Sequence, residues 1–332
     1  MNALTLLVGL GPVVLFLGAL ILMDSYKLVS WRSVAAALAA GVGSALVSLL
    51  VNRLLLQAGL NEMVLHRTVA PVVEESVKAV YLVYLIRSAR VGFLVDAAIM
   101  GFAVGTGFAL VENIYFAGEM AGAGLGLWIV RGLGTAVMLG SATAIVAIIS
   151  KTLTDRRGST SLLLFLPGIA LAAAVHGLFN HFILTPLASA AAMVIAMPIV
   201  VGIVFERSDK ATRAWLGEGL DHDMELLLMI EGGHVEDTPV GAYLASLHRV
   251  PGPILADMLC LLRIHLELSL RAKGILIARA AGVEIPLDEE VRANFEEMHH
   301  LERSIGKAGR MALLPLRRTS SRDLWQLHVL GE

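Results

Sequence analysis

The chain has 332 residues, of which 57% are apolar and 16% are charged, and its formal net charge is −2. Soluble domains average about half apolar and a quarter charged residues, so this composition excludes an ordinary soluble protein and indicates a membrane protein. The only cysteine, Cys260, excludes an intrachain disulfide and a cysteine-based metal site, and the mildly acidic C-terminal part argues against a nucleic-acid partner.

Seven apolar stretches are long enough to cross the bilayer, which takes about 20 helical residues. They cover residues 3–23, 34–56, 67–87, 92–117, 124–150, 161–183 and 187–205. Because each helix satisfies its own backbone hydrogen bonds, they predict an all-α fold, a polytopic membrane helix bundle. We therefore expect a transmembrane, protease-like domain over 1–205 and a cytoplasmic, soluble helical domain over 206–332.

The loop charges predict the orientation. Basic residues follow the first, third and fifth stretches, at Lys27, Arg32, Arg87, Arg90, Lys151, Arg156 and Arg157. Cytoplasmic loops carry an excess of Lys and Arg. We expect a multi-pass protein of the cell (inner) membrane, with its N-terminus outside and its C-terminus in the cytoplasm.

The third stretch contains Glu74, Glu75 and Lys78. Ionisable groups inside a membrane helix cost several kcal/mol, at least about 2.5 at the bilayer centre. Glu74 and Lys78 are four residues apart and share a helix face, so we expect them to pair while Glu75 faces a different neighbour. A structural ion pair alone explains one glutamate and leaves the second unexplained.

The fourth stretch contributes Phe108, Glu112 and Asn113, after glycines whose spacing allows close helix contact. A third intramembrane carboxylate needs a proton, a cation or water, and neighbouring carboxylates can exchange protons near neutral pH. In the fifth stretch, Arg131 either reaches the outer headgroups or pairs with Glu112 or Glu75.

In the sixth stretch His176 and Asn180 are four residues apart and share one face. At 1.5 Å per residue, Glu74, Glu112 and His176 all lie about 8–12 Å from the outer ends of their helices. Three helices therefore place polar groups in one layer, in the outer half of the membrane.

Three ordered motifs carry a family resemblance: Glu74-Glu75-x-x-Lys78, Phe108-x-x-x-Glu112-Asn113 and His176-x-x-x-Asn180. Together they resemble the PrsW family of bacterial intramembrane proteases, which is similar to the type II CAAX prenyl endopeptidase group. The resemblance covers residues 60–205. It implies cleavage of a single-span, anti-sigma-factor-like membrane protein at site 1, on the extracytoplasmic side of the lipid bilayer.

The resemblance also implies a glutamic-type mechanism with no metal and no cofactor. Glu74 or Glu75 would act as general base on a water, and Glu112 would hold or polarise that water. His176 and Asn180 would donate hydrogen bonds to the oxyanion. Lys78 and Arg131 would orient and balance the carboxylates, with Phe108 and Asn113 in support. Which glutamate is the base stays open at this stage, as does the oligomeric state.

One position departs from the family pattern. Leu139 stands where the resemblance leads us to expect a histidine. This favours, as an alternative, a catalytically inactive scaffold of the same fold. A proton-coupled transporter is a further alternative, because intramembrane carboxylates also mark ion paths; the sequence shows no inverted repeat to support it. A zinc protease is disfavoured because no stretch contains H-E-x-x-H.

The C-terminal part has helical periodicity. Val291, Phe295, Met298, Leu301 and Ile305 recur at spacings of three and four, which predicts an amphipathic helix. Residues 254–282 predict another long helix, whose interior charges argue against an eighth membrane crossing. We expect this part to serve in docking or regulation.

Overall fold

The computed structural model describes residues 3–119, 124–181, 183, 185–233, 235, 238–247, 250–283, 285–286, 289–313, 325–326, 328 and 330. Every regular element in the described part is helical, which confirms the all-α prediction. The α-helices are α1 Ala3–Met23, α2 Trp31–Gln57, α3 Glu62–Val64, α4 Ala70–Arg87, α5 Leu94–Glu119, α6 Leu125–Ile129, α7 Val137–Arg157, α8 Leu166–Asn180, α9 Pro186–Glu231, α10 Pro239–Ser246, α11 Gly252–Ala280, α12 Glu289–Ser304 and α13 Gly306–Leu313.

Two π-helical segments continue into longer helices. Leu65–Val69 leads into α4, and Val130–Ala136 joins α6 to α7. A π-helical turn bonds each residue to the fifth one along and is frequent at functional sites. Both segments adjoin ionisable residues: the first precedes Glu74 and Glu75, and the second contains Arg131. A short 3-10 turn, Leu162–Leu164, leads into α8.

The chain divides into two compact units, Met1–Asp209 and Lys210–Glu332. Among its described residues, the first unit contains five helices long and apolar enough to cross a membrane: Trp31–Gln57, Leu94–Gly118, Leu125–Arg157, Leu162–Asn180 and the beginning of Pro186–Glu231. They coincide with five of the seven predicted crossings. The chain is therefore a multi-pass membrane protein.

The other two predicted crossings, α1 and α4, are helical but are not both long and apolar enough to be counted with these five. The apolar part of α1 is short, covering Leu7–Met23. Helix α4 carries four charged side chains, at Glu74, Glu75, Lys78 and Arg87. Helix α4 can cross the bilayer at low free-energy cost only if its charged side chains are paired inside the protein. Seven crossings accordingly stay a prediction.

Helix α5 is the centre of the first unit, and glycines let its neighbours approach it. A Cβ on Gly101 would lie 2.7 Å from the carbonyl oxygen of Thr143, and one on Gly105 would lie 2.5 Å from that of Leu139, both on α7. Gly107 meets the backbone of α2 in the same way, at Leu38. The predicted close packing of these glycines is therefore observed, and it brings α2, α5 and α7 together around the site.

In the second unit, α11 and α12 occupy the segments predicted to be helical. The predicted stripe on α12 is its buried face, with Val291, Met298 and Leu301 nearly inaccessible. A buried ion pair joins Lys273 Nζ on α11 to Asp223 Oδ2 at 2.6 Å. The assignment of this unit as soluble and cytoplasmic stays a prediction.

Candidate active site

Glu75 and Lys78 form a fully buried ion pair on α4. The Lys78 Nζ atom lies 2.7 Å from Glu75 Oε1, and both side chains are 0% exposed. The predicted pairing of Lys78 with Glu74 is therefore wrong. Residues three apart lie on the same helix face, just as residues four apart do. In α4 the glutamate that points inward together with Lys78 is Glu75.

Phe108 supports this pair from α5. Its ring centroid lies 4.6 Å from Lys78 Nζ, within the range of a cation–π contact. The aromatic residue of the second motif thus contacts the lysine of the first, which gives its predicted supporting role a physical basis.

His176 approaches both glutamates from α8. Its Nδ1 lies 3.0 Å from Glu75 Oε1, while its Nε2 lies 3.9 Å from Glu74 Oε2. Because an ionised carboxylate only accepts, Nδ1 donates to Glu75. In a neutral imidazole the lone pair is then on Nε2, facing Glu74. Glu75 therefore fixes both the orientation and the tautomer of His176.

Glu74 is the more accessible of the two glutamates. Its side chain is 14% exposed, and its Oε1 accepts a hydrogen bond from Nδ2 of Asn52 at 3.1 Å. Asn52 lies on α2, outside all three motifs, and the sequence analysis missed it. Ser44 and Ser48 precede it at four-residue spacing, so a polar stripe on an apolar helix was the available signal.

Glu112, Asn113 and Arg131 form a second polar group on α5 and the π-helical segment. Arg131 Nη2 lies 3.4 Å from Glu112 Oε1, and its Nε donates to Asn113 Oδ1 at 3.0 Å. The guanidinium also lies over the Phe116 ring, at 4.0 Å. Of the two interpretations of Arg131, the structure shows the pairing one. The Glu112 charge acts on Glu74 across the site, so the two polar groups are electrostatically linked.

Asn113 also connects the site to α1. Its Nδ2 donates to the carbonyl oxygen of Gly9 at 2.8 Å, while its Oδ1 accepts from Arg131. Both ends of this buried amide are satisfied, so Asn113 fixes Arg131 relative to α1.

Asn180 shares a helix with His176 but contacts a different partner. Its Nδ2 donates to the carbonyl oxygen of His66 at 3.0 Å, in the π-helical segment before α4. Backbone carbonyls inside a protein need donors, and Asn180 supplies one from a neighbouring helix. The structure thus shows Asn180 positioning the beginning of α4; its role as an oxyanion donor stays a prediction.

Leu139 is 1% exposed and belongs to the apolar core of the first unit. Its carbonyl oxygen accepts from Thr143 Oγ1 at 3.0 Å. An aliphatic side chain therefore occupies the position where the resemblance predicts an imidazole. Across the described part of the chain, no group of three or more His, Cys, Asp or Glu side chains is arranged to hold a metal ion.

One comparison with known proteins identifies this arrangement. A family model described as PrsW family intramembrane metalloprotease matches residues 29–203, which is just over half of the chain and includes all three motifs. No curated protein and no solved structure matches the chain.

Proposed function

Because the chain belongs to the PrsW family of membrane proteases, we propose that it is an endopeptidase that hydrolyses a single-span membrane protein, of the anti-sigma-factor type, near the extracytoplasmic face. Membership, as the sequence predicted, supports intramembrane proteolysis by a hydrolase in general. The substrate, the site of cleavage and the mechanism below are the proposal.

The observation that carries the mechanism is the different environment of the two adjacent glutamates. Glu75 is wholly buried, and its Oε1 binds both Lys78 and His176. Glu74 is partly exposed and presents Oε2 to the imidazole without a hydrogen bond to it. A general base needs an accessible lone pair beside the water it activates. We therefore assign Glu74 as the base and Glu75 as the group that orients His176.

The 3.9 Å between Glu74 Oε2 and His176 Nε2 suits one water held by both atoms, since each hydrogen bond would be about 2.8 Å long. Glu74 takes a proton from this water while the water oxygen bonds to the scissile carbonyl carbon. The carbonyl oxygen then becomes an oxyanion. The carbon–nitrogen bond then breaks, and the proton passes from Glu74 to the leaving amine.

Stabilisation of the oxyanion falls to the polar groups around the water. In its neutral form His176 accepts from the water through Nε2, and the neighbouring Lys78–Glu75 pair leaves the buried site without excess charge. Arg131, held by Glu112 and Asn113, supplies a second, fixed positive charge to the proposed site. Preorganised donors of this kind contribute about 10²–10³-fold in rate each. Asn180 completes the proposed set as a donor.

The description of the family names a metal, and the residues of this chain do not fit a resident one. A catalytic zinc takes three protein ligands. Lys78 and His176 both bind Glu75 Oε1, Arg131 engages Glu112, and Leu139 has no donor atom. Glu75 Oε2 has no hydrogen-bond partner among the described residues, but no group of three His, Cys, Asp or Glu side chains there is arranged to hold a metal ion. The proposed mechanism accordingly uses the side chains alone.

A second candidate is an inactive scaffold of the same fold, which Leu139 favours. In the proposed mechanism the imidazole that matters is His176, already oriented by Glu75, so an aliphatic residue at 139 is compatible with turnover. We further propose that seven crossings place the N-terminus outside and the C-terminus inside, as the basic loops indicate.

The test is cleavage in liposomes. The purified full chain is reconstituted with a single-span substrate whose extracytoplasmic juxtamembrane segment lies between two fluorophores. We compare wild type, His176→Ala and Leu139→His, with Glu62→Gln, an exposed carboxylate, as a matched control. Cleavage by wild type that His176→Ala removes supports the enzyme. Cleavage by Leu139→His alone would establish the scaffold instead.

The metal question has a separate measurement. Wild-type protein is assayed with a chelator, and its zinc content is determined. The proposal expects unchanged cleavage and no stoichiometric zinc. Loss of cleavage that zinc restores would overturn the metal-free mechanism, while intramembrane proteolysis itself would stand.

A further inference from the structure

Helix α2 contributes a side chain to the site that none of the motifs contains. Asn52 donates through Nδ2 to Glu74 Oε1 at 3.1 Å. The other end of the same amide, Oδ1, is buried and has no hydrogen-bond partner among the described residues. A buried acceptor left unpaired costs about 1–3 kcal/mol, so this arrangement calls for an explanation beyond packing.

The stripe on α2 shows that Asn52 is not an isolated exception. Ser48 lies one turn before it on the same face, and its Oγ is likewise buried and unpaired within the described part of the chain. Ser44, one turn further, satisfies itself by donating to the carbonyl oxygen of Ala40 at 2.8 Å. Among the described residues of α2, the buried side-chain atoms without a hydrogen-bond partner are thus Asn52 Oδ1 and Ser48 Oγ, one turn apart.

We propose that Asn52 is a positioning residue for Glu74 in both protonation states of that side chain; this rests on the proposed function. When Glu74 is ionised it can only accept, so Asn52 presents its NH2 group. When Glu74 holds the proton taken from water, it has an O–H to donate. The amide then turns over and presents Oδ1, which no other group in the described part of the chain engages.

Asn52 is well suited to this role because its side chain is uncharged. The titratable groups that act on Glu74 are Glu75 and Lys78 on its own helix, Glu112 on α5 and His176 on α8. An amide adds no charge to this set and offers a donor and an acceptor in one plane. It holds Oε1 in place and leaves Oε2 directed at His176, where the proposed water is bound.

The first test is kinetic. Full-length wild type, Asn52→Leu and Asn52→Asp are assayed in liposomes over a pH series, with Ser44→Ala as the matched control on the same helix face. Displacing a catalytic group by about 1 Å costs roughly 100-fold, so we expect kcat to fall 10- to 100-fold with KM nearly unchanged. The acidic limb of the kcat profile should move to higher pH by about one unit, because ionised Glu74 loses its donor.

Asn52→Asp keeps the size of the side chain, replaces the NH2 donor with an oxygen and adds a carboxylate beside Glu74, so it should move the acidic limb to higher pH at least as far as Asn52→Leu does. Loss of rate at every pH in proportion to lost folded protein, with the acidic limb unmoved, would overturn the positioning role. A rise in KM at constant kcat would also overturn it, since it would place Asn52 in substrate binding. In either case cleavage by wild type would leave the proposed function intact.

The second test does not need turnover. Thermal unfolding of wild type, Asn52→Leu, Glu74→Leu and the double variant forms a double-mutant cycle, since leucine at position 74 cannot accept from Asn52. We expect the double variant to lower the Tm by at least roughly 2 °C less than the sum of the two single changes. Either single change already removes the shared hydrogen bond, so the second change cannot remove it again. Additive effects would show that the two side chains do not act together and would overturn the inference, even if the protein cleaves no substrate.

Discussion

The buried pair of Glu75 and Lys78 gives the sharpest prediction for stability. In Lys78→Met the side chain keeps about the same length and loses its charge. Glu75 stays 0% exposed, and His176 is its one remaining donor among the described residues. The cation–π contact with Phe108 is lost as well. Breaking a buried ion pair by removing one partner costs about 3–5 kcal/mol. We expect the free energy of unfolding to fall by that amount.

The double variant Glu75→Gln with Lys78→Met removes both charges and should recover most of the loss, because a neutral pair is not penalised by burial. The assay is unfolding of the full chain in mixed micelles by titration with dodecyl sulfate. A stability of Lys78→Met within about 1 kcal/mol of wild type would show that Lys78 does not stabilise the buried Glu75 charge. So would a rescue by Glu74→Gln in place of Glu75→Gln, because that would restore the pairing predicted from the sequence.

Two further predictions concern packing and pH. Gly105→Ala should destabilise the first unit by about 1–3 kcal/mol, because its Cβ would lie 2.5 Å from the Leu139 carbonyl oxygen; Gly43→Ala, with open space around it, should not destabilise in the same micelle titration. Asp24 lies in the loop after α1, and burial raises its pKa from 3.8 to about 6. The folded protein therefore holds this proton to higher pH than the unfolded chain, and stability is lost as pH rises from about 4 to 6 and above. Asp24→Asn should match wild type near pH 4 and exceed it at pH 7.5, by on the order of 2–3 kcal/mol; equal stability at both pH values would contradict this.

The helices were predictable because length and hydropathy specify them directly. Five of the predicted crossings coincide with helices that can span a membrane. The charges of α4 were equally visible, and their cost inside a bilayer is what marks them as special. What the sequence could not determine was which glutamate binds the lysine. Spacings of three and four both share a face, so only the rotation of α4 in the bundle decides between Glu74 and Glu75.

The contribution of α2 was only partly visible in the sequence. Asn52 ends a stripe of polar residues with Ser44 and Ser48 on an apolar helix, and its partner is 22 positions away on α4. The stripe marks a polar face of α2, but only the packing of α2 against α4 shows which side chain that face meets. For Asn180 the spacing correctly predicted a shared face with His176. It could not predict the partner of the Asn180 amide, which is the carbonyl oxygen of His66 in the π-helical segment before α4.

The proposed role of Glu74 as the base that activates the attacking water can be measured directly. Products formed in ¹⁸O-labelled water by wild type and by Glu74→Gln are compared by mass spectrometry. We expect one labelled oxygen in the new carboxyl terminus, a cut in the extracytoplasmic juxtamembrane segment, and a rate about 10²–10⁴-fold lower for the variant. Cleavage by Glu74→Gln at the wild-type rate would show that Glu74 is not the base.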